Sequence, residues 1–213
     1  MDFDLSLYLV TDRYLSKGRP IEWIVEEAVR GGVTMVQLRE KDCSTREFIE
    51  LAIRLRQKLA PLKVPLIIND RADVALAADA DGLHIGQKDM PYDKARRLLG
   101  REKIIGLSVE NIELVHEANN LDVDYIGISP VFITATKTDT SEPFGLEGIK
   151  QVMLLSRHPA VAIGGINNEN ATAIIQAGAN GIAVVSAICS ADNPREAASK
   201  LNKLIANAKL KNQ

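Results

Sequence analysis

Arg39 and Lys41 stand two residues apart in Gln-Leu-Arg-Glu-Lys (37–41), Asn69-Asp70 follows the apolar run Pro-Leu-Ile-Ile, and Asp89 closes Gly-Gln-Lys-Asp (86–89). Further along, Thr134, Thr136 and Lys137 place two hydroxyls and an ammonium within four residues. Cations and hydroxyls of this kind donate to the oxygens of anionic ligands. Asp70 and Asp89, with the Asn69 carbonyl, make the sparse oxygen set that Mg²⁺ takes while keeping positions for water and phosphate oxygens. Three cations and two carboxylates together fit a metal–diphosphate site. The same spacings have plainer explanations. Asp is a favoured helix N-cap, so Asp70 before Arg71 and Asp89 before Pro91 could each begin a helix. Arg39 and Lys41 could join Glu40 in a surface ion-pair network.

Gly164-Gly165 and Val185-Ser186 end two later apolar runs. Backbone amides at such ends bind phosphate in many barrels, although a tight turn needing positive φ explains Gly-Gly equally well. Ser108 ends another run, and His84 is expected to face inward, either as a hydrogen-bonded core residue or as a ligand contact. No Ser-His-Asp set or close His/Cys cluster is present, so covalent and zinc chemistry have no support.

These groups meet only if the chain brings the ends of the runs together. Apolar, β-branched stretches over 5–10, 33–38, 65–68, 82–85, 103–109, 124–129, 160–163 and 181–185 read as buried strands. Pro130 cannot donate to a sheet ladder, so the sixth should stop near Ser129. Between them the spacing predicts helices over 21–30, 45–59 with Ser44 as N-cap, 72–78, 91–99, 112–119 with Asn111 as N-cap, 146–156, 168–178 and 194–208, the last with a frayed Lys-rich end. Eight βα units without a linker predict an α/β protein, a single-domain (β/α)8 TIM barrel over 1–213, near the compact end of the usual ~200 to 250 residues. A doubly wound open sheet is the alternative, since periodicity does not show closure.

Composition excludes several classes of function. With 26 basic and 28 acidic residues and no run of Lys or Arg, the chain has no electrostatic footprint for nucleic acid, so an anionic ligand must be bound locally. The start, Met-Asp-Phe-Asp, is acidic where a signal peptide would be basic, and no stretch approaches ~18 apolar residues. The expectation is a cytoplasmic protein with no membrane partner, its cysteines, Cys43 and Cys189, both reduced. Homo-oligomerisation is left open.

Over essentially its whole length the chain resembles the thiamine phosphate synthase family. The resemblance is carried by Tyr-Leu-Val-Thr-Asp (8–12), Gln-Leu-Arg-Glu-Lys (37–41), Ile-Ile-Asn-Asp (67–70), Leu-His-Ile-Gly-Gln-Lys-Asp-Met (83–90), Gly-Leu-Ser (106–108), Thr-Ala-Thr-Lys (134–137), Ala-Ile-Gly-Gly-Ile (162–166) and Val-Ser-Ala-Ile (185–188). It implies a (β/α)8 transferase that joins 4-amino-2-methyl-5-hydroxymethylpyrimidine diphosphate to 4-methyl-5-(2-hydroxyethyl)thiazole phosphate, giving thiamine phosphate and diphosphate. By position, Asp70 and Asp89 then look like Mg²⁺ ligands, and Arg39, Lys41, Asn69 and Lys137 like diphosphate contacts. Gln37 and Ser108 fall beside the pyrimidine; Thr134, Thr136, Gly165, Val185 and Ser186 fall around the thiazole phosphate. A dissociative reaction of this kind calls on Arg39, Lys41, Ser108 and Lys137 for charge stabilisation and positioning more than on a general base. Two departures stand out: Ser129 and Ile133 replace the Gly and Pro usual in the family's Gly-Pro-Val-Phe-Pro-Thr, and altered binding is the expected consequence. The rivals are a thiazole tautomerase, which needs a proton-shuttling base, and a non-catalytic thiamine-precursor binding protein.

Overall fold

Each apolar run forms a strand buried on both faces, as parallel strands under helices must be. In the computed structural model, which describes residues 3–133 and 142–211, these are β1 (Leu7–Val10), β2 (Met35–Leu38), β3 (Leu66–Asn69), β4 (Gly82–Ile85), β5 (Ile104–Val109), β6 (Tyr125–Ile128), β7 (Ala160–Ile163) and β8 (Gly181–Val184). They pair in sequence order, all parallel, and β8 returns to β1, closing the barrel and excluding the open sheet.

Outside lie α1 (Ile21–Arg30), α2 (Thr45–Leu59), α3 (Ala72–Ala77), α4 (Tyr92–Leu99), α5 (Ile112–Ala118), α6 (Gly145–Leu155), α7 (Ala171–Gln176), α8 (Ser186–Cys189) and α9 (Pro194–Lys211). Ser44 caps α2 as expected: its hydroxyl accepts the Glu47 N–H, and the Glu47 carboxylate accepts the Ser44 N–H, satisfying two otherwise orphaned donors. Several details differ from the sequence reading. α7 starts at Ala171 rather than near Asn168, because the Asn170 side chain accepts the Asn167 N–H and that of Asn167 accepts the Glu169 N–H, holding 167–170 in a turn. α9 stays helical to Lys211 instead of fraying after 208, its Ile205 and Ala208 buried against the barrel. The short α8 was not anticipated. No helix among the described residues is long and apolar enough to cross a membrane.

The closed sheet separates two apolar cores, a large one beneath the helices and a small one inside the barrel. Parallel register puts Gln37 opposite Ile67, Asn69 opposite His84, His84 opposite Gly106, Gly106 opposite Tyr125 and Ser108 opposite Gly127, so all of these face inward. Aliphatic residues fill the barrel around an aromatic cluster: Tyr8 and Tyr125 meet edge to face at 5.9 Å, and Phe3 closes the amino-terminal end against Tyr125 at 6.1 Å. A tyrosine this large fits only because its neighbour has no side chain; a Cβ on Gly106 would lie 2.1 Å from Tyr125 Cζ. Gly106→Ala is therefore expected to lower stability by about 1–3 kcal/mol through overpacking, read as a lower urea midpoint. An unchanged midpoint would show that the tyrosine is not wedged there.

Candidate functional site

At the carboxyl ends of the strands the barrel opens into a cavity of about 660 Å³. Gln37, Arg39, Lys41, Asn69, Asp70 and Asp89 line one part of it, with Ser108 at its floor and Gly165, Val185 and Ser186 across the mouth. Ten of the thirteen residues singled out from the sequence are thus gathered in one place. The other three, Thr134, Thr136 and Lys137, lie outside the described residues.

Alternation along β2 and its extension turns Arg39 and Lys41 to the cavity and Glu40 away from it. Glu40 is buried and takes both of its hydrogen bonds from Arg13, at 2.8 and 3.0 Å, so no network with Glu40 engages the two cations. Instead Arg39 donates to Asp12 at 3.1 Å and Lys41 to Asp70 at 2.5 Å.

Neither carboxylate caps a helix. Asp70 sits at the centre of a three-residue turn, closed by the Arg71 N–H on the Asn69 carbonyl at 2.7 Å, with φ at +62°. That left-handed backbone is strained for a side chain with a Cβ, and it turns the carboxylate toward the mouth instead of toward α3. Asp89 accepts the Gly86 N–H at 2.7 Å and so folds its own loop back on itself, while α4 has no side-chain cap. Burial pushes the Asp89 pKa up; the Gly86 hydrogen bond and Lys41 oppose the rise, and the adjacent Asp70 carboxyl adds to it. Two acidic groups held side by side, with an ammonium already against one, are chemically suited to share a hard cation. Among the described residues no third His, Cys, Asp or Glu joins them, which leaves most coordination positions of such an ion to water and ligand oxygens.

Across the mouth, Gly164 and Gly165 follow β7 at φ +108° and +66°. Positive φ is not their only requirement. A Cβ on Gly164 would lie 2.9 Å from Pro130 Cβ, and one on Gly165 2.8 Å from Phe132 Cβ, because the segment after β6 runs directly over them. That segment is fixed by hydrogen bonds from Val131 N–H to the Ile163 carbonyl and from Phe132 N–H to the Gly164 carbonyl. The Asn170 amide donates to the Gly165 carbonyl at 2.9 Å, so the turn that delays α7 also braces this end of the site. Val185 and Ser186 open α8, where the first backbone amides of a helix point outward. Of the two departures, Ser129 lines the cavity, whereas Ile133 is exposed.

Beneath both halves runs a chain of side-chain hydrogen bonds through the barrel interior. Gln37 Nε2 donates to Tyr8 Oη at 2.8 Å, Tyr8 Oη meets Tyr125 Oη at 2.8 Å, Tyr125 Oη meets His84 Nδ1 at 3.0 Å, and His84 Nε2 meets Ser108 Oγ at 2.9 Å. His84 is thus both inward-facing and hydrogen-bonded at the edge of the cavity. Tyr8 and Tyr125 were missed as site residues because their neighbours in sequence are apolar. Their parity with Gln37 and Ser108 on neighbouring strands was the available signal.

The sequence profile of a family described as "Thiamine monophosphate synthase" matches residues 7–188. A thiamine-phosphate synthase of Albidiferax ferrireducens is 54% identical over 201 residues, covering 94% of this chain and 92% of that one. A second, from Leptospira biflexa, is 54% identical over 196 residues, covering 90% of this chain and 93% of that one. A solved thiamine phosphate pyrophosphorylase from Pyrococcus furiosus superposes with a TM-score of 0.88 at 39% identity, covering 96% of each chain.

The electrostatics of the carboxylate pair carry a pH signature. Because the folded Asp89 pKa is raised above the usual 3.8, its contribution to stability is full below that value and is lost as pH rises through the folded pKa. Measured by urea midpoints, wild type should therefore lose stability relative to Asp89→Asn over that interval. The loss should be smaller in an Asp70→Asn background; a pH-independent difference would contradict the geometry.

Proposed function

This chain belongs to the thiamine monophosphate synthase family, and from that premise we propose that it condenses 4-amino-2-methyl-5-hydroxymethylpyrimidine diphosphate with 4-methyl-5-(2-hydroxyethyl)thiazole phosphate in a Mg²⁺-dependent reaction. The observation that carries the reading is the division of a single cavity into two ends, each lined by groups able to receive an anion. Arg39, Lys41, Asp70 and Asp89 stand at one end and the Gly164-Gly165 turn with the Val185–Ser186 corner at the other, with a hydrogen-bonding floor between them.

Asp70 and Asp89 would hold Mg²⁺, with Asn69 beside them, and the ion would neutralise charge on the diphosphate. With Asp70 holding the ion, Lys41 would be freed from its ion pair with Asp70 to donate to phosphoryl oxygens beside Arg39. Lys137 is assigned to the same group by motif alone. The bond that breaks joins the pyrimidine methylene to the diphosphate oxygen, and its electron pair leaves with the diphosphate. The bond that forms joins the thiazole nitrogen to that methylene carbon. Cations placed where negative charge accumulates, and two substrates held in line, supply what such a step needs. Gly165, Val185 and Ser186, with Thr134 and Thr136, would position the thiazole through its phosphate, and Gln37 and Ser108 would flank the pyrimidine.

The names of the relatives and the cation-rich mouth favour this over a tautomerase or an idle binding protein. With both precursors, diphosphate release should match thiamine phosphate one for one with Mg²⁺ and stop with chelator. Thiazole phosphate binding without product would move the reading to those alternatives. Asp89→Ala should keep the circular dichroism spectrum and lose about 100-fold or more in turnover, the scale expected when a preorganised electrostatic contact is removed. Wild-type turnover would take Asp89 out of the metal site.

A further inference from the structure

The hydrogen-bond chain under the cavity has a direction. Burial, acting first, holds the pKa values of Tyr8 and Tyr125 well above their usual range, so each phenol keeps the one proton it has to donate. Tyr8 Oη already accepts from Gln37 Nε2, and its other polar partner among the described residues is Tyr125 Oη; the Tyr8 proton must go there. Tyr125 then gives its own proton to His84 Nδ1. With Nδ1 accepting, the neutral ring carries its hydrogen on Nε2, which donates to Ser108 Oγ. Both ends are thereby fixed. Gln37 has its carbonyl Oε1 left for the cavity as an acceptor, and Ser108 has its hydroxyl proton left as a donor.

Reversing either end means reversing everything between, namely an amide, two hydroxyl rotors and an imidazole tautomer. The ends are therefore coupled, with one accepting whenever the other donates.

Resting on the function proposed above, we propose that Tyr8, Tyr125 and His84 are positioning residues that set the polarity of the pyrimidine subsite, selecting an aminopyrimidine over its oxo counterpart. An exocyclic amine donates to Gln37 Oε1, and a ring nitrogen accepts from Ser108. An oxo group would set oxygen against oxygen at Gln37, and relieving that contact means reversing the amide, both hydroxyl rotors and the imidazole tautomer together. With the chain cut at Tyr125, Tyr8 is free to donate to Gln37, whose amide can turn and offer its NH₂ to the oxo form.

The test is calorimetric binding of two uncharged probes, 4-amino-5-hydroxymethyl-2-methylpyrimidine and its 4-oxo analogue, to wild type and to Tyr125→Phe. Wild type should prefer the amine about tenfold or more, the scale of one unsatisfied buried polar group. Tyr125→Phe should bring the two toward parity, chiefly by gaining affinity for the oxo form, whereas a merely structural role would weaken both alike. A retained preference in Tyr125→Phe, or none in wild type, overturns the proposal. Nitrogen-15 NMR of wild-type His84 provides a check that needs neither variant nor ligand: Nε2–H is expected, and any other protonation state overturns the stated direction. Binding of neither pyrimidine would overturn the inference too, while the two-substrate turnover assay separately decides the reading it rests on.

Discussion

Two tyrosine hydroxyls are fully buried inside this barrel, and buried hydroxyls must find partners. The partners come from β1, β2, β4, β5 and β6, so five of eight strands are tied together by side chains in addition to their backbone ladders. No buried side-chain polar atom among the described residues is left unpaired. The packing around the hydroxyls follows from the same constraint. Gly106 and Gly127 leave room for the Tyr125 and His84 rings, which stack at 5.6 Å. The floor of the cavity is thus rigid and polar at once, with Gln37 and Ser108 as the two ends of that network facing the ligand space.

Above this floor the site is organised by charge. The sheet brings Asp70 and Asp89 together from adjacent strands, a juxtaposition that water-exposed carboxylates would avoid. Lys41 offsets part of the repulsion at Asp70, and Gly86 N–H part of it at Asp89. Arg39 and Asp12 make a second pair nearby. A site of paired charges is balanced before a ligand arrives, and an incoming ion can exchange into the pairs without leaving a charge alone. The strained backbone at Asp70 has a place in the same account, since an unstrained turn would carry the carboxylate to the start of α3.

The far side of the mouth depends on close approach instead of charge. Gly164 and Gly165 let the segment after β6 lie against the end of β7, and Asn170 reaches back from the turn before α7 to hold Gly165. Two consecutive βα units therefore shape this end together. Ser129 enters the cavity from the same segment, so its hydroxyl is the departure placed to alter ligand contacts, while the exposed Ile133 side chain points away from packing.

The eight strands, the extents of α1 and α2, and the Ser44 cap were legible from sequence because each is decided locally, by periodicity and by a side chain reaching its own backbone a few residues away. The polar strand ends were legible as a list for the same reason, and their motifs pointed to the family. Closure of the barrel was a matter of β8 meeting β1, as in Leu7 opposite Ile182, residues 175 positions apart whose pairing no local pattern reports. Whether Asp70 and Asp89 capped helices or faced the cavity turned on one positive φ and one hydrogen bond to Gly86, choices made by tertiary packing. The pairing within the floor belonged to the fold. Tyr8 and Tyr125 are ordinary members of apolar runs until the strands close, and His84, expected from the sequence to face inward, has its partners chosen only then, when burial forces the hydroxyls and ring nitrogens to pair with one another.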